Sequence, residues 1–181
     1  MEATPTALPG VLLLAPRVFG DARGHFFESY NARDFSAAVG REVVFVQDNQ
    51  SRSVRGVLRG LHYQVQQPQG KLVRVLAGEI FDVVVDLRRS APTFGRWAGF
   101  LLSAENRQQL WIPEGHAHGF LTLSAEAEVF YKTTDFYAPA HERCVAWNDP
   151  ALGIDWPLAG PPMLSAKDAA APLLAAAETF P

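Results

Sequence analysis

Hydrophobic and polar positions alternate over short segments through the middle of the chain, a pattern typical of β-strands rather than helices. Between about Val43 and Thr134, turn residues separate predicted strands at 72–76, 80–87, 97–102, 109–112, 119–123 and 129–134. Gly78 lies between the first two and suits a hairpin that needs a positive φ. Strands this closely spaced, with no helical periodicity between them, predict an all-β antiparallel sandwich or small barrel.

The segment Ile80–Leu87 is apolar on both faces. One face carries Phe81, Val83, Val85 and Leu87, and the other carries Asp82 and Asp86 beside Ile80 and Val84. A strand of this kind is usually covered on both sides. We therefore expect a second sheet or a partner subunit to cover it, and a homodimer is a reasonable expectation.

Two segments have helix signals. Asn31 is a suitable N-cap for a short helix through Val39, which Gly40 would end. Near the C-terminus, Ser165 and Asp168 have the spacing of a capping box, and Pro172 would limit the helix that follows. The expected fold is thus a β-rich domain with a few short helices.

Composition restricts the class of protein. A chain of 181 residues and 19.8 kDa, 48% apolar, fits one domain over residues 1–181. A net charge of −3 gives no field to attract nucleic acid or an anionic membrane. The single cysteine, Cys144, excludes an intramolecular disulfide and a cysteine-based zinc site. With no signal peptide or long apolar segment, we expect a soluble cytoplasmic protein.

Basic side chains in apolar surroundings are the first candidates for chemistry. His62 is either a neutral core histidine or a general base. Lys71 either extends from a strand end to solvent or stabilises an oxyanion. Arg59 and Arg23 either lie in solvent or bind phosphate oxygens.

The spacing of Arg59 and His62 raises a geometric problem. Residues three apart in an uninterrupted strand point to opposite faces. Gly60 lies between them, and a bulge or bend there would bring both side chains to one face.

Several other polar residues have two interpretations. His116 and His118 share a strand face, but a zinc or iron site needs further ligands that the sequence does not supply, so metal binding is the less favoured interpretation. Tyr131 and Tyr137 are either packing residues or, where buried near a cation, proton donors. Asp168 caps a helix and could also hold a histidine.

Taken in order, these motifs resemble one family, the dTDP-4-dehydrorhamnose 3,5-epimerases, from about Val11 to Leu174. The matching segments are DARGHFFESYN, VQDNQSRS, RGLHYQ, QGKLVRV, GEIFDVVVDLRRSAPTFGRW, LSAENRQQLWIPEGHAHGF, YKTTDFYAPAHER, WNDPALGIDWP and LSAKDAAAPLL. One departure is His116, which stands where the family more often has phenylalanine.

The resemblance implies a cupin-type antiparallel β-barrel or jelly roll, a homodimer without a catalytic metal or cofactor, and a role in making activated L-rhamnose. It implies that His62 is the base, Asp168 its carboxylate partner, Lys71 the group facing the C4 oxygen, and Tyr131 the proton donor. The substrate-contacting residues it implies are Arg23, Phe26, Glu28, Gln47, Asp48, Asn49, Arg59, His118, Tyr137, Glu142 and Lys167.

Three other functions remain open at this point. A single-position epimerase would share the same base and lysine. A metal-dependent cupin would use His62, His116 and His118. A non-catalytic nucleotide-sugar binding module is disfavoured, because base, oxyanion partner and acid occur together.

Overall fold

The computed structural model describes residues 1–181 and contains thirteen strands and two α-helices. The N-terminal elements are β1 Glu2–Pro5, β2 Leu12–Ala15, β3 Val18–Asp21, β4 Gly24–Phe27 and α1 Ala32–Val39. The central strands are β5 Gln47–Val54, β6 Leu58–Gln64, β7 Lys71–Ala77, β8 Glu79–Asp86, β9 Trp97–Ser103, β10 Gln109–Ile112, β11 His116–Thr122 and β12 Glu126–Thr133. The chain ends with β13 Glu142–Cys144, the one-turn helix α2 Ala166–Ala169, and 3₁₀ turns at Pro139–His141 and Leu174–Ala176.

Two antiparallel sheets form the body of the protein. One has six strands in the order β1-β2-β10-β7-β12-β5, and the other has five in the order β13-β6-β11-β8-β9. Strands β3 and β4 form a separate hairpin. Val73 and Val129 from the first sheet pack with Val84 and Phe120 from the second in a buried cluster between the sheets. The all-β antiparallel fold expected from strand spacing is confirmed.

The predicted strands agree with the observed ones to within a few residues, and Gly78 has the expected positive φ of 75°. The largest difference lies before residue 47. Strands β1 and β2, from the first fifteen residues, belong to the six-stranded sheet, and the segment 43–46 is not a strand. In place of strand pairing, Val43 packs with Phe35 on the outer face of the six-stranded sheet.

Strand β8 is buried on both faces, as its pattern predicts. Ile80 and Val84 face the six-stranded sheet. Val83 and Val85 face the other way, where they pack with Trp156 and other residues from the C-terminal third of the chain. The second cover therefore comes from the same chain and needs no partner subunit.

Both helices begin where their caps predict. The Asn31 side chain accepts backbone hydrogen bonds from Arg33 and Asp34, and Gly40 ends α1 with a positive φ. Helix α2 is a single turn capped by Ser165, whose hydroxyl accepts from the Asp168 backbone N–H at 3.1 Å. Neither helix is long and apolar enough to cross a membrane.

Candidate active site

A cavity of about 200 Å³ opens between the two sheets. The five-stranded sheet contributes Arg59 and His62 from β6 and His118 from β11, whereas the six-stranded sheet contributes Lys71 from β7 and Tyr131 from β12. The remaining lining residues are Ser51, Tyr63, Gln64, Gln69, Gly119, Phe120, Tyr137 and Glu142. His62 and Tyr131 therefore approach the cavity from different sheets.

Arg59 and His62 reach the same cavity because β6 contains an extra residue opposite β11. His118 pairs with His62 and Phe120 with Arg59, so three steps along β6 match two along β11, which is a β-bulge. Gly60 has a φ of 129°, and a Cβ there would lie 2.5 Å from the Gly119 Cα. Glycine is thus required at this position, and it resolves the parity problem posed by the sequence.

His62 is held by a carboxylate from the other end of the chain. Its Nε2–H donates to Asp168 Oδ1 at 2.5 Å, and Asp168 is only 4% exposed. Burial opposes ionisation of Asp168, but the hydrogen bond and charge of His62, together with Ser165 and Lys167, outweigh burial and lower the pKa of this carboxyl. With Nε2 carrying the bonded proton, Nδ1 is the nitrogen free to accept one. The His62 side chain is 26% exposed and so remains accessible from the cavity.

Lys71 is the buried cation of the site. It is 8% exposed, and its Nζ donates to the backbone oxygen of His62 at 3.3 Å. Burial lowers the pKa of Lys71 to about 8, although the negative charges of Asp82 and Glu142 act in the opposite direction. An ammonium group in this position can stabilise negative charge that develops in the cavity.

Tyr131 and Tyr137 differ in their environments. Burial raises the pKa of Tyr131, so its phenol stays protonated near neutral pH and can donate a proton. Tyr137 is exposed at the mouth, where its hydroxyl donates to Glu142 Oε2 at 3.0 Å. Lys167 donates to the other oxygen of Glu142 at 2.8 Å. Three of the predicted binding residues thus form one network at the entrance.

The three predicted residues at the start of β5 do not share a face. Gln47 donates from Nε2 to Asn49 Oδ1 at 2.9 Å, and its Oε1 accepts from the Tyr137 backbone N–H. Asp48 pairs instead with Lys132 at 2.8 Å, and Lys132 lies over the Tyr30 ring on the outer face of the sheet. The structure therefore brings Gln47 and Asn49 to the cavity side and leaves the Asp48 side chain outside.

Arg23, Phe26 and Glu28 lie on or next to the β3–β4 hairpin and do not line the cavity of their own chain. The Arg23 side chain is 90% exposed and pairs with Asp21, and Phe26 is 70% exposed. Glu28, just after β4, is exposed as well.

His116 and His118 share the inner face of β11, as expected, but have different partners. His116 Nδ1–H donates to the Pro113 carbonyl at 3.1 Å, and His118 Nε2–H donates to Asp82 Oδ2 at 2.8 Å. No group of three or more histidine, cysteine, aspartate and glutamate residues is placed to hold a metal ion.

Sequence reasoning missed some residues at the site. Ser51, Gln64 and Gln69 line the cavity without having been predicted. Asp82 lies directly behind it, bonded to His118. The signal for Asp82 was present in the strand pattern, because an acid on an apolar face that packs inward is rarely tolerated without a partner.

Comparison with known proteins gives a consistent result. A family model described as dTDP-4-dehydrorhamnose 3,5-epimerase matches residues 5–176. The chain is 64% identical over its whole length to the whole dTDP-4-dehydrorhamnose 3,5-epimerase of Pseudomonas aeruginosa.

Solved structures agree. A dTDP-6-deoxy-D-glucose-3,5-epimerase from Legionella pneumophila, in complex with dTDP-4-keto-L-rhamnose, is 53% identical with a TM-score of 0.94, covering 97% of this chain and 93% of that one. A 3'-monoepimerase from Streptomyces bikiniensis, in complex with dTDP-quinovose, is 37% identical with a TM-score of 0.90. The match covers 94% of this chain and 87% of that one.

The jelly-roll sandwich is that of a cupin-like isomerase, and its interior cavity holds a histidine–carboxylate pair, a buried lysine and a phenol, which are groups able to transfer protons. The chain belongs to the dTDP-4-dehydrorhamnose 3,5-epimerase family.

Proposed function

We propose that this protein converts dTDP-4-dehydro-6-deoxy-D-glucose into dTDP-4-dehydro-L-rhamnose by epimerisation at C3 and C5, a step in the synthesis of dTDP-L-rhamnose. The observation that carries this proposal is the His62–Asp168 pair, hydrogen-bonded at 2.5 Å and reachable from a cavity whose other wall holds Lys71 and Tyr131.

The chemistry follows from the ketone. Carbons 3 and 5 both lie next to the C4 carbonyl, so removing either proton places negative charge on the C4 oxygen. His62 Nδ1 takes the proton, and Asp168 orients the ring and stabilises its charged form. Lys71 stabilises the enolate oxygen. Neither step transfers a hydride.

Inversion requires the new proton to arrive from the other side of the sugar ring. Tyr131 comes from the six-stranded sheet and His62 from the five-stranded sheet. A sugar ring bound between them would therefore have the base on one side and the acid on another. The raised pKa of the buried Tyr131 keeps its phenol protonated for this role.

The nucleotide end of the substrate would lie at the mouth of the cavity. Arg59 is the basic residue there for the diphosphate, and its Nε–H is fixed by donation to Ser53 Oγ at 2.9 Å. Tyr137, Glu142 and Lys167 form the neighbouring polar network.

The hairpin residues Arg23, Phe26 and Glu28 need another explanation, because their own chain keeps them away from its cavity. We place them against the cavity of a second copy, in the homodimer predicted from the sequence. Mixing an R23A/F26A variant with a His62→Ala variant should restore activity through mixed dimers. Activity no greater than the sum of the separate variants would contradict this arrangement. The cytoplasmic location and the single-domain organisation stay predictions.

Product assay in deuterium oxide tests the main proposal. Proton NMR of the product from the 4-keto-6-deoxyglucose nucleotide should show deuterium at both C3 and C5. Label at one carbon only would identify a single-position epimerase instead. Activity that disappears with a strong chelator and returns with added metal would favour the metal-dependent cupin.

A further inference from the structure

Asp82 is a fully buried carboxylate behind the cavity. It lies on the inner face of β8, is 0% exposed, and accepts a hydrogen bond from His118 Nε2–H at 2.8 Å. Its second oxygen, Oδ1, has no hydrogen-bond donor from the protein. Residues on either side of it on this face, Ile80 and Val84, are apolar and belong to the core.

A carboxylate at such a position is costly for folding. Removing an ionised group from water is expensive unless nearby charges and hydrogen bonds compensate, and an apolar residue would serve packing better. The stability of the strand therefore does not explain Asp82. Burial raises the pKa of Asp82, whereas its two neighbours His118 and Lys71 act in the opposite direction and favour the carboxylate. Both neighbours line the cavity.

Both neighbours depend on the carboxylate. Because Asp82 binds Nε2–H of His118, it fixes the ring and leaves Nδ1 for a group in the cavity. Lys71 is buried, and burial favours its neutral amine. The groups whose charges act on Lys71 are Asp82 and Glu142, which favour the ammonium form, and Lys167, which opposes it.

We propose that Asp82 is a positioning residue of the epimerase site, which holds the His118 ring in place and supplies the buried negative charge that keeps Lys71 an ammonium ion. This inference rests on the proposed function, since it concerns the group that stabilises the enolate oxygen. Asp82 itself touches no substrate and acts only through its two neighbours.

The test compares Asp82→Asn with wild type across pH 6 to 9. Asparagine keeps the shape and can still accept from His118, but it carries no charge. The ratio of the two kcat values should be within about threefold of unity at pH 6 and should fall about tenfold or more by pH 8, because the uncompensated lysine loses its proton at lower pH. KM should change less than kcat.

Asp86→Asn is the matched control. Asp86 is also 0% exposed on the inner face of β8, but its partners are Arg88 and Thr93, neither of which lines the cavity. Its substitution should lower thermal stability without changing the shape of the pH profile. If Asp82→Asn behaves the same way, Asp82 is structural and the inference is wrong.

A second pair of variants provides the test if Asp82→Asn does not fold. The double variant D82N/H118N removes both partners of the hydrogen bond, and its pH profile is compared with that of His118→Asn alone. A downward shift of the alkaline limb only in the double variant supports the role of Asp82, whereas identical profiles refute it. Absence of epimerisation by the wild type would refute the proposed function itself. This outcome is distinct from any difference between the variants.

Discussion

Three side chains around one cavity have different protonation behaviour, and each difference has a local cause. Burial opposes ionisation of Asp168, but His62, Ser165 and Lys167 together lower its pKa and keep it ionised. Burial holds Tyr131 in its neutral form and brings Lys71 to a pKa of about 8. A carboxylate, a neutral phenol and an ammonium group can therefore coexist near neutral pH.

Replacing Asp168 by asparagine should remove the charge that orients and supports His62. We expect kcat to fall about 10²- to 10⁴-fold with a smaller change in KM, because the lost interaction matters most when the imidazole is protonated. Deuterium exchange at C3 and C5, followed by NMR, measures the loss. Ser165→Ala is the control: it removes the cap but leaves the carboxylate, so it should cost about 1 kcal/mol of stability and keep the exchange.

We expect Lys71 to make the reaction sensitive to alkaline pH. Its ammonium form predominates below a pKa of about 8 and its amine above, so kcat should fall as pH rises through about 8. Arginine stays charged, so the residual activity of Lys71→Arg should lack this fall. Lys132→Met is the control, since Lys132 lies on the outer face with Asp48. An unchanged alkaline limb in Lys71→Arg would show that another group titrates there.

At the level of elements, the β-bulge at Gly60 brings Arg59 and His62 to one cavity. The strand pattern identified Gly60 as the residue that could do this, but only the register with β11 shows that it does. Conversely, Gln47, Asp48 and Asn49 are consecutive in β5, and side-chain alternation means that they cannot all face the cavity. The sequence alone would have predicted that these three side chains alternate, had the strand been known to begin at Gln47.

Gly60→Ala tests the bulge. An added Cβ would lie 2.5 Å from the Gly119 Cα, in a backbone conformation with a φ of 129° that alanine disfavours. We expect a loss of at least about 2 kcal/mol in the free energy of unfolding, together with a higher KM. Gly160→Ala is the control, because nothing lies within 4 Å of its added Cβ. Equal stability of the two variants in urea would show that the close approach is not rigid.

At the level of the whole molecule, the C-terminal segment covers the outer face of the five-stranded sheet. Ala177 and Trp156 pack on this face, and the Phe180 backbone bonds to Leu87 and Arg89. Tyr63 donates from its hydroxyl to the Glu178 carbonyl. Apolar periodicity predicted that β8 would be covered but could not identify the cover, because the segment is mostly irregular and carries no periodic signal of its own.

Ending the chain at Pro172 should uncover this face while leaving Asp168 in place. We expect the free energy of unfolding to fall by about 3–5 kcal/mol, since several apolar side chains lose their contacts. Removal of Pro181 alone should have little effect. Urea denaturation compares the two truncations, and similar midpoints would mean that the segment contributes little to stability.

The hydrogen bond between His62 and Asp168 joins a residue from the first half of the sequence to one close to its end. During synthesis, every strand of both sheets leaves the ribosome before Asp168 does. A nascent polypeptide can thus assemble its β-structure before the carboxylate that holds His62 has been synthesised.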